Sequence, residues 1–297
     1  MTIIDLQNDA LSARISTSGG VLLDYSWMMD GGTIALLRPA PDGADASSSA
    51  CYPLVPFGNR IRNNRFVFEG RDYQFRPNTA SDPHYLHGDG WQEEWSILSR
   101  SVNELQIGFR HPEGDTPYGY EAKQTITLSS HGLTFHMSVK NTCKDTLPFG
   151  LGWHPYFPLT PETTLLAPAQ RFWTETEGWL PGERADIPAD LDFSKPSPLP
   201  RRWVNNGFEG WSGKAEIIWP ERHASLRLTA DTSVRHAFIF IPDKNFNPSF
   251  REDYFCFEPM THIANGHNLP DLGDLKILRP GEILAGSIHL QPQRYPE

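Results

Sequence analysis

Alternation of apolar and polar residues constrains this chain more than any other feature. Leu133, Phe135, Met137 and Val139 alternate with Thr134, His136, Ser138 and Lys140. A period of two places the apolar set on one face of a half-buried strand. The preceding stretch, Lys123 to Leu128, ends at Ser129-Ser130-His131-Gly132, so the two segments are predicted to pair as a hairpin. Arg65 to Phe68 and Arg71 to Phe75, joined by Glu69-Gly70, read as a second hairpin. Further strands are predicted at Ala10 to Ser16, Val21 to Tyr25, Trp95 to Ser99, Glu104 to Phe109, Lys214 to Trp219, Ser225 to Thr229, His236 to Ile241, Tyr254 to Glu258 and Ile283 to Leu290. No long helical period is present, and 26 Pro and 24 Gly among 297 residues disfavour helix interiors. Many short strands with frequent turn signals predict an all-β chain, a large antiparallel sandwich or barrel.

Two stretches break the pattern. Phe172 to Trp211 holds Pro181, Gly182, Pro188, Pro196, Pro198 and Pro200. Composition does not change on either side, so it reads as a long surface excursion from one domain spanning residues 1–297. Pro39 to Ala50, rich in Ala, Ser, Asp and Gly, reads as a mobile loop.

Charge and cysteine usage exclude several function classes. The net charge of −10 argues against a general nucleic-acid binder, which needs a basic face. It leaves an anionic small substrate open, because local Arg residues can dominate one pocket. Cys51, Cys143 and Cys256 are far apart and odd in number, with no disulfide framework or metal-ligand spacing. A reducing compartment, the cytoplasm, is expected. Met1 to Leu6 lacks the basic and apolar regions of a signal peptide. No apolar run approaches the roughly 18 residues of a membrane span.

Four polar clusters lie beside predicted strands. Asn59-Arg60-Ile61-Arg62-Asn63-Asn64-Arg65 packs Arg donors among Asn side chains, which suits hydroxyls or carboxylates, or simply a solvated turn. His84-Tyr85-Leu86-His87-Gly88-Asp89-Gly90-Trp91 suits a sugar ring stacked on an apolar face, or a structural loop. Its His-x-x-His spacing lacks a second ligand pair, so no metal is predicted. His154, within Trp153-His154-Pro155-Tyr156-Phe157, is either a hydrogen-bonded core residue or an acid–base catalyst. Glu258 ends a predicted strand and shares a face with Cys256 and Tyr254. It is either a strand-end carboxylate at a turn or a general base in an apolar setting.

Together, in this order, the clusters resemble the aldose 1-epimerase (galactose mutarotase-like) family. The resemblance covers nearly the whole chain. It rests on Asn59-Arg60-Ile61, His87-Gly88 with Trp91, Trp153-His154-Pro155-Tyr156-Phe157, Glu258-Pro259 and Leu278-Arg279-Pro280-Gly281-Glu282. It implies a large antiparallel β-sandwich, the galactose mutarotase-like supersandwich, with a sugar site on its concave face. Two positions depart from the family pattern. Asn64 stands where a Gly is frequent, and Asn tolerates positive φ next best. Asn205, in Val204-Asn205-Asn206-Gly207-Phe208, stands where many members carry a sugar-binding Asp.

The resemblance implies cofactor-free anomer interconversion of a hexose. Glu258 would be the base, His154 the acid, and His87 a donor to the ring or C1 oxygen. Arg60 would bind a hydroxyl or hold Glu258; Asn59 and Asn205 would read hydroxyls. Trp91, Trp153 and Trp211 would stack on the sugar or wall the cleft, and Tyr156 would contact it. The expected partner is a small sugar, with no nucleic acid and no membrane, and the chain a monomer or homodimer. Alternatives are a mutarotase for an anionic sugar (a sulfonated hexose such as sulfoquinovose, or a sugar phosphate held by Arg60, Arg62 and Arg65) and a non-catalytic carbohydrate-binding module. A glycosidase is disfavoured, because no second carboxylate pairs with Glu258 by motif.

Overall fold

The computed structural model describes residues 1–114 and 116–296. Antiparallel strands dominate them, and the helical turns are short 3-10 segments. The hairpin strands Tyr120–Ser129 and Gly132–Asn141 form as the alternation requires, with Leu133 opposite Leu128 and Phe135 opposite Ile126. The strands Arg65–Phe68 and Arg71–Gln74 pair around Glu69 (φ 49°) and Gly70 (φ 74°). Positive φ at both turn residues matches the twist of a two-residue hairpin.

These elements belong to two large sheets. A 9-stranded sheet contains the long hairpin, flanked by Glu104–His111 and Ile283–Arg294. An 11-stranded sheet runs from Ile3–Gln7 at one edge to Leu180–Ala185 at the other. Its middle is the succession Cys51–Leu54, Gly152–Pro158, Tyr254–Met260, His236–Ile241 and Val204–Glu209. The sheets face each other across one buried apolar cluster drawing on both, from Ile4 and Trp153 to Phe135 and Leu290. Polar groups cross that interface in pairs: the Tyr25 hydroxyl donates to Leu290 O at 3.1 Å, and Trp219 Nε1 to Pro158 O at 2.9 Å.

The stretch Phe172 to Trp211 is not a surface excursion. It supplies Arg171–Thr176 and Leu180–Ala185, a hairpin at the sheet edge, and Val204–Glu209, which pairs with His236–Ile241. Pro181 is tolerated because its strand is the outermost, where one side needs no ladder donor. The segment Pro39 to Ala50 contains a short turn, Ala46–Ser48, capped by the Asp45 side chain, which accepts from Ser48 N at 2.8 Å. Among the described residues no helix is long and apolar enough to cross a membrane. All three cysteines are buried free thiols.

Candidate active site

The central strands of the larger sheet are covered on both faces, by the apolar core on one side and by a cavity on the other. In Gly152–Pro158 every residue is buried. Alternation sends Trp153 and Phe157 to the core, and His154 and Tyr156 to the cavity. Tyr156 lies opposite Cys256 and Gly152 opposite Met260, so His154 lies opposite Glu258. Directly opposed side chains sit about 5 Å apart at Cβ. The imidazole and carboxylate therefore meet, with His154 Nε2 3.1 Å from Glu258 Oε1.

The other neighbours extend this row. His154 pairs with Tyr52 on Cys51–Leu54, and Glu258 with Phe238 on His236–Ile241. The Tyr52 ring stacks on His154 with centroids 4.4 Å apart, which fixes the imidazole plane. A parallel row carries Tyr156, Cys256, Phe240 and Asn205. The site floor is thus two cross-strand rows set by register. Glu258 is 2% exposed and its strand continues to Met260, so it is not a carboxylate at an open turn. Glu258 Oε2 and His154 Nδ1 have no hydrogen-bond partner among the described residues.

The loop before the first small hairpin closes the cavity. His87 and Asn59 bind reciprocally: His87 N donates to Asn59 O at 2.8 Å, and Asn59 N to His87 Nδ1 at 2.9 Å. Burial, then the nearby His154, Arg60 and His262, hold the His87 pKa well below the usual imidazole value. A neutral ring that accepts at Nδ1 carries its proton on Nε2, so His87 is a fixed donor. Gly88 is required here: a Cβ would lie 2.4 Å from Pro56 Cδ and 2.5 Å from Val55 O. Asn59 Oδ1 accepts from Arg60 N at 2.9 Å, which leaves its amide nitrogen to donate. Asn64 has φ 56°, the conformation that explains Asn where Gly is frequent.

A cavity of 890 Å³ gathers Asn59, Arg60, His87, Trp91, His154, Tyr156, Asn205 and Glu258. Two expected members lie elsewhere. Trp153 faces the apolar core because it is one residue from His154 along the strand. Trp211 is buried against Phe257, 5.3 Å between centroids, on the core side of the Glu258 strand. Arg60 does not hold Glu258: its Nε donates to Asp82 at 2.7 Å in a nearly buried ion pair. Arg62 is exposed and Arg65 pairs with Asp72, so the three arginines do not converge as a phosphate site. His84 and His87 are engaged separately, His84 Nδ1 accepting from Asn63 N at 3.2 Å.

Other lining residues gave no signal in the sequence. Tyr52 lies in a strand buried throughout, where alternation disappears. Trp179 lies in the stretch read as irregular, and its ring is 5.3 Å from the Arg60 guanidinium. Arg38, next to Pro39, lies over Tyr156 at 3.8 Å and Tyr254 at 4.5 Å, and donates to Ser47 O and Ser49 O. Only tertiary folding brings it to the cavity.

The aldose 1-epimerase family model matches residues 2–291. This chain belongs to the aldose 1-epimerase family. An Escherichia coli K12 relative, the uncharacterized protein YphB, is 43% identical over 98% of this chain and 99% of its own. A crystal structure of a candidate aldose 1-epimerase from Escherichia coli K12 superposes with a TM-score of 0.94 at 42% identity, covering 99% of both chains. A galactose mutarotase-like protein from Clostridium acetobutylicum shares the fold at 20% identity, with a TM-score of 0.84 over 98% of this chain and 95% of that one. The aldose 1-epimerase assignment accords with a mostly antiparallel β fold of the galactose mutarotase-like kind.

Proposed function

We propose that this family member is a mutarotase that interconverts the α and β anomers of a free hexose without a cofactor. The observation that carries the reading is the Glu258–His154 contact at 3.1 Å on the cavity floor, with Glu258 Oε2 buried and without a donor among the described residues. An unmatched buried acceptor costs about 1–3 kcal/mol, more when charged. A sugar hydroxyl would supply the missing donor.

Ring opening takes a proton from the C1 hydroxyl and adds one to the ring oxygen. Glu258 acts as the base and His154 as the acid; closure on the other face reverses the roles. The fixed Nε2–H of His87 steadies charge developing on the ring or C1 oxygen. Asn59 donates to a hydroxyl, Trp91 and Tyr156 wall the cleft, and Arg60, held by Asp82, offers its remaining donors. One buried cluster reaches from Ile4 to Leu290, which supports residues 1–297 acting as a single domain. The buried free thiols support a cytoplasmic setting.

One observation favours a second reading, an anionic sugar. Arg38 lines the cavity, and among the described residues no carboxylate lies within ion-pair distance of it. Single anomers of a panel of neutral, sulfonated and phosphorylated hexoses, followed by polarimetry with and without protein, test both. Faster equilibration of neutral hexoses supports the first reading, and of anionic ones alone the second. No acceleration of any sugar would mean a non-catalytic carbohydrate-binding module.

A further inference from the structure

Asn205 is the amide of the second cross-strand row, and it is not free to turn. Its Nδ2 donates to Glu175 Oε1 at 2.7 Å and lies 3.4 Å from Trp179 O. The other carboxylate oxygen of Glu175 accepts from Trp203 Nε1 at 2.7 Å. A carboxylate accepts only, so the group facing Glu175 must be the amide nitrogen. The carbonyl oxygen of Asn205 is left toward the cavity that this residue lines.

Glu175 lies on Arg171–Thr176, which pairs with the Asn205 strand only through Arg171–Glu209 and Phe172–Phe208. Beyond that point the ladder opens. Side chains replace it: Asn206 Nδ2 donates to Trp173 O at 2.9 Å, and Asn205 reaches Glu175. From this geometry we infer that Glu175 is a positioning residue: it locks Asn205 so that position 205 accepts a hydrogen bond from a sugar hydroxyl. The inference rests on the sugar reading for its ligand, and on distances alone for the lock. It also accounts for Asn where the family pattern has Asp. A carboxylate at 205 would stand against that of Glu175 at hydrogen-bond distance, and like charges there repel.

A reciprocal exchange tests the lock. Asn205→Asp should raise KM for the accepted hexose about tenfold and lower Tm, because two carboxylates meet. Glu175→Gln should raise KM less, because its amide permits Asn205 to turn. In the double variant, Gln at 175 donates to Asp at 205, and both KM and Tm should return toward wild type. A double variant no better than Asn205→Asp alone, in KM and in Tm, would overturn the inference. So would an unchanged KM in Glu175→Gln. The Tm cycle needs no substrate. Were no sugar equilibrated faster by the wild-type protein, the mutarotase reading would fall, while rescue or loss of Tm would still decide the lock.

Discussion

The hairpin Tyr120–Asn141 and the strand pair carrying His154 and Glu258 are built from the same ladder but differ in what covers them. In the hairpin strand Gly132–Asn141, Leu133, Phe135, Met137 and Val139 are buried, while His136 and Lys140 are exposed. In Gly152–Pro158 all residues are buried. Solvent on one face imprints a period of two on a sequence, and a covered second face erases it. The period therefore locates the scaffold, whereas the candidate site lies where it is lost. Polar residues survive there only in contact with each other or facing the cavity, since an unpaired buried polar group is costly.

Substitutions on each side of this divide should separate activity from stability. The largest effect is expected at the floor row. Glu258→Gln and His154→Ala should each lower kcat/KM for anomer interconversion by about 10³, as loss of general acid–base catalysis does, with Tm close to wild type. Wild-type equilibration rates in either folded variant would break the assignment. One residue away, the effect should switch kind. Trp153→Ala should destabilise by about 3–5 kcal/mol in urea denaturation, whereas Trp91→Ala, at a half-buried cavity wall, should destabilise less and weaken sugar binding. A stable Trp153→Ala would mean that its face had been misassigned.

The buried imidazoles give a smaller, pH-dependent effect. Burial holds His87 and His267 well below the usual imidazole pKa, and His262 at about 4. The unfolded chain, with imidazoles near about 6.5, then binds more protons than the folded one in the window below that value. Stability from these groups is complete above about pH 6.5 and is lost as pH falls toward about 4. Urea midpoints should be flat above neutrality and fall through this window; a rise on acidification would contradict neutral buried rings. The smallest effect is expected on the outer face of the hairpin. His136→Ala should change stability by no more than about 0.5 kcal/mol, against about 3–5 kcal/mol for Phe135→Ala beside it.

Much of the scaffold, and most of the residues that line the candidate site, are legible in the sequence. The strands Lys214–Trp219 and His236–Ile241 form where the alternation and turn signals set them. The strands Cys51–Leu54, Gly152–Pro158 and Val204–Glu209 were not foreseen, since both their faces are covered and they show no period. Proline content misled at Phe172 to Trp211, because an edge strand accommodates Pro181 and the sheet still needs the segment that follows. Trp153 adjoins His154 in the sequence, yet neighbours in a strand point to opposite faces. Trp153 consequently enters the core; Trp211, just past the end of Val204–Glu209, packs there on Phe257, and Tyr52, from a distant strand, stacks on His154.

The sequence by itself determined an antiparallel β scaffold and singled out the polar residues proposed for acid–base and hydroxyl-binding roles. Both depend on local order along the chain: a period of two, turn residues, and motifs of a few adjacent side chains. Only the tertiary structure decided which face each residue takes and which residues meet across strands. Register places His154 against Glu258 and Asn205 against Phe240, and where the ladder opens a side-chain bond of 2.7 Å ties Asn205 to Glu175. Those meetings depend on pairings between segments far apart in the chain, where a shift of one residue would turn every side chain to the other face.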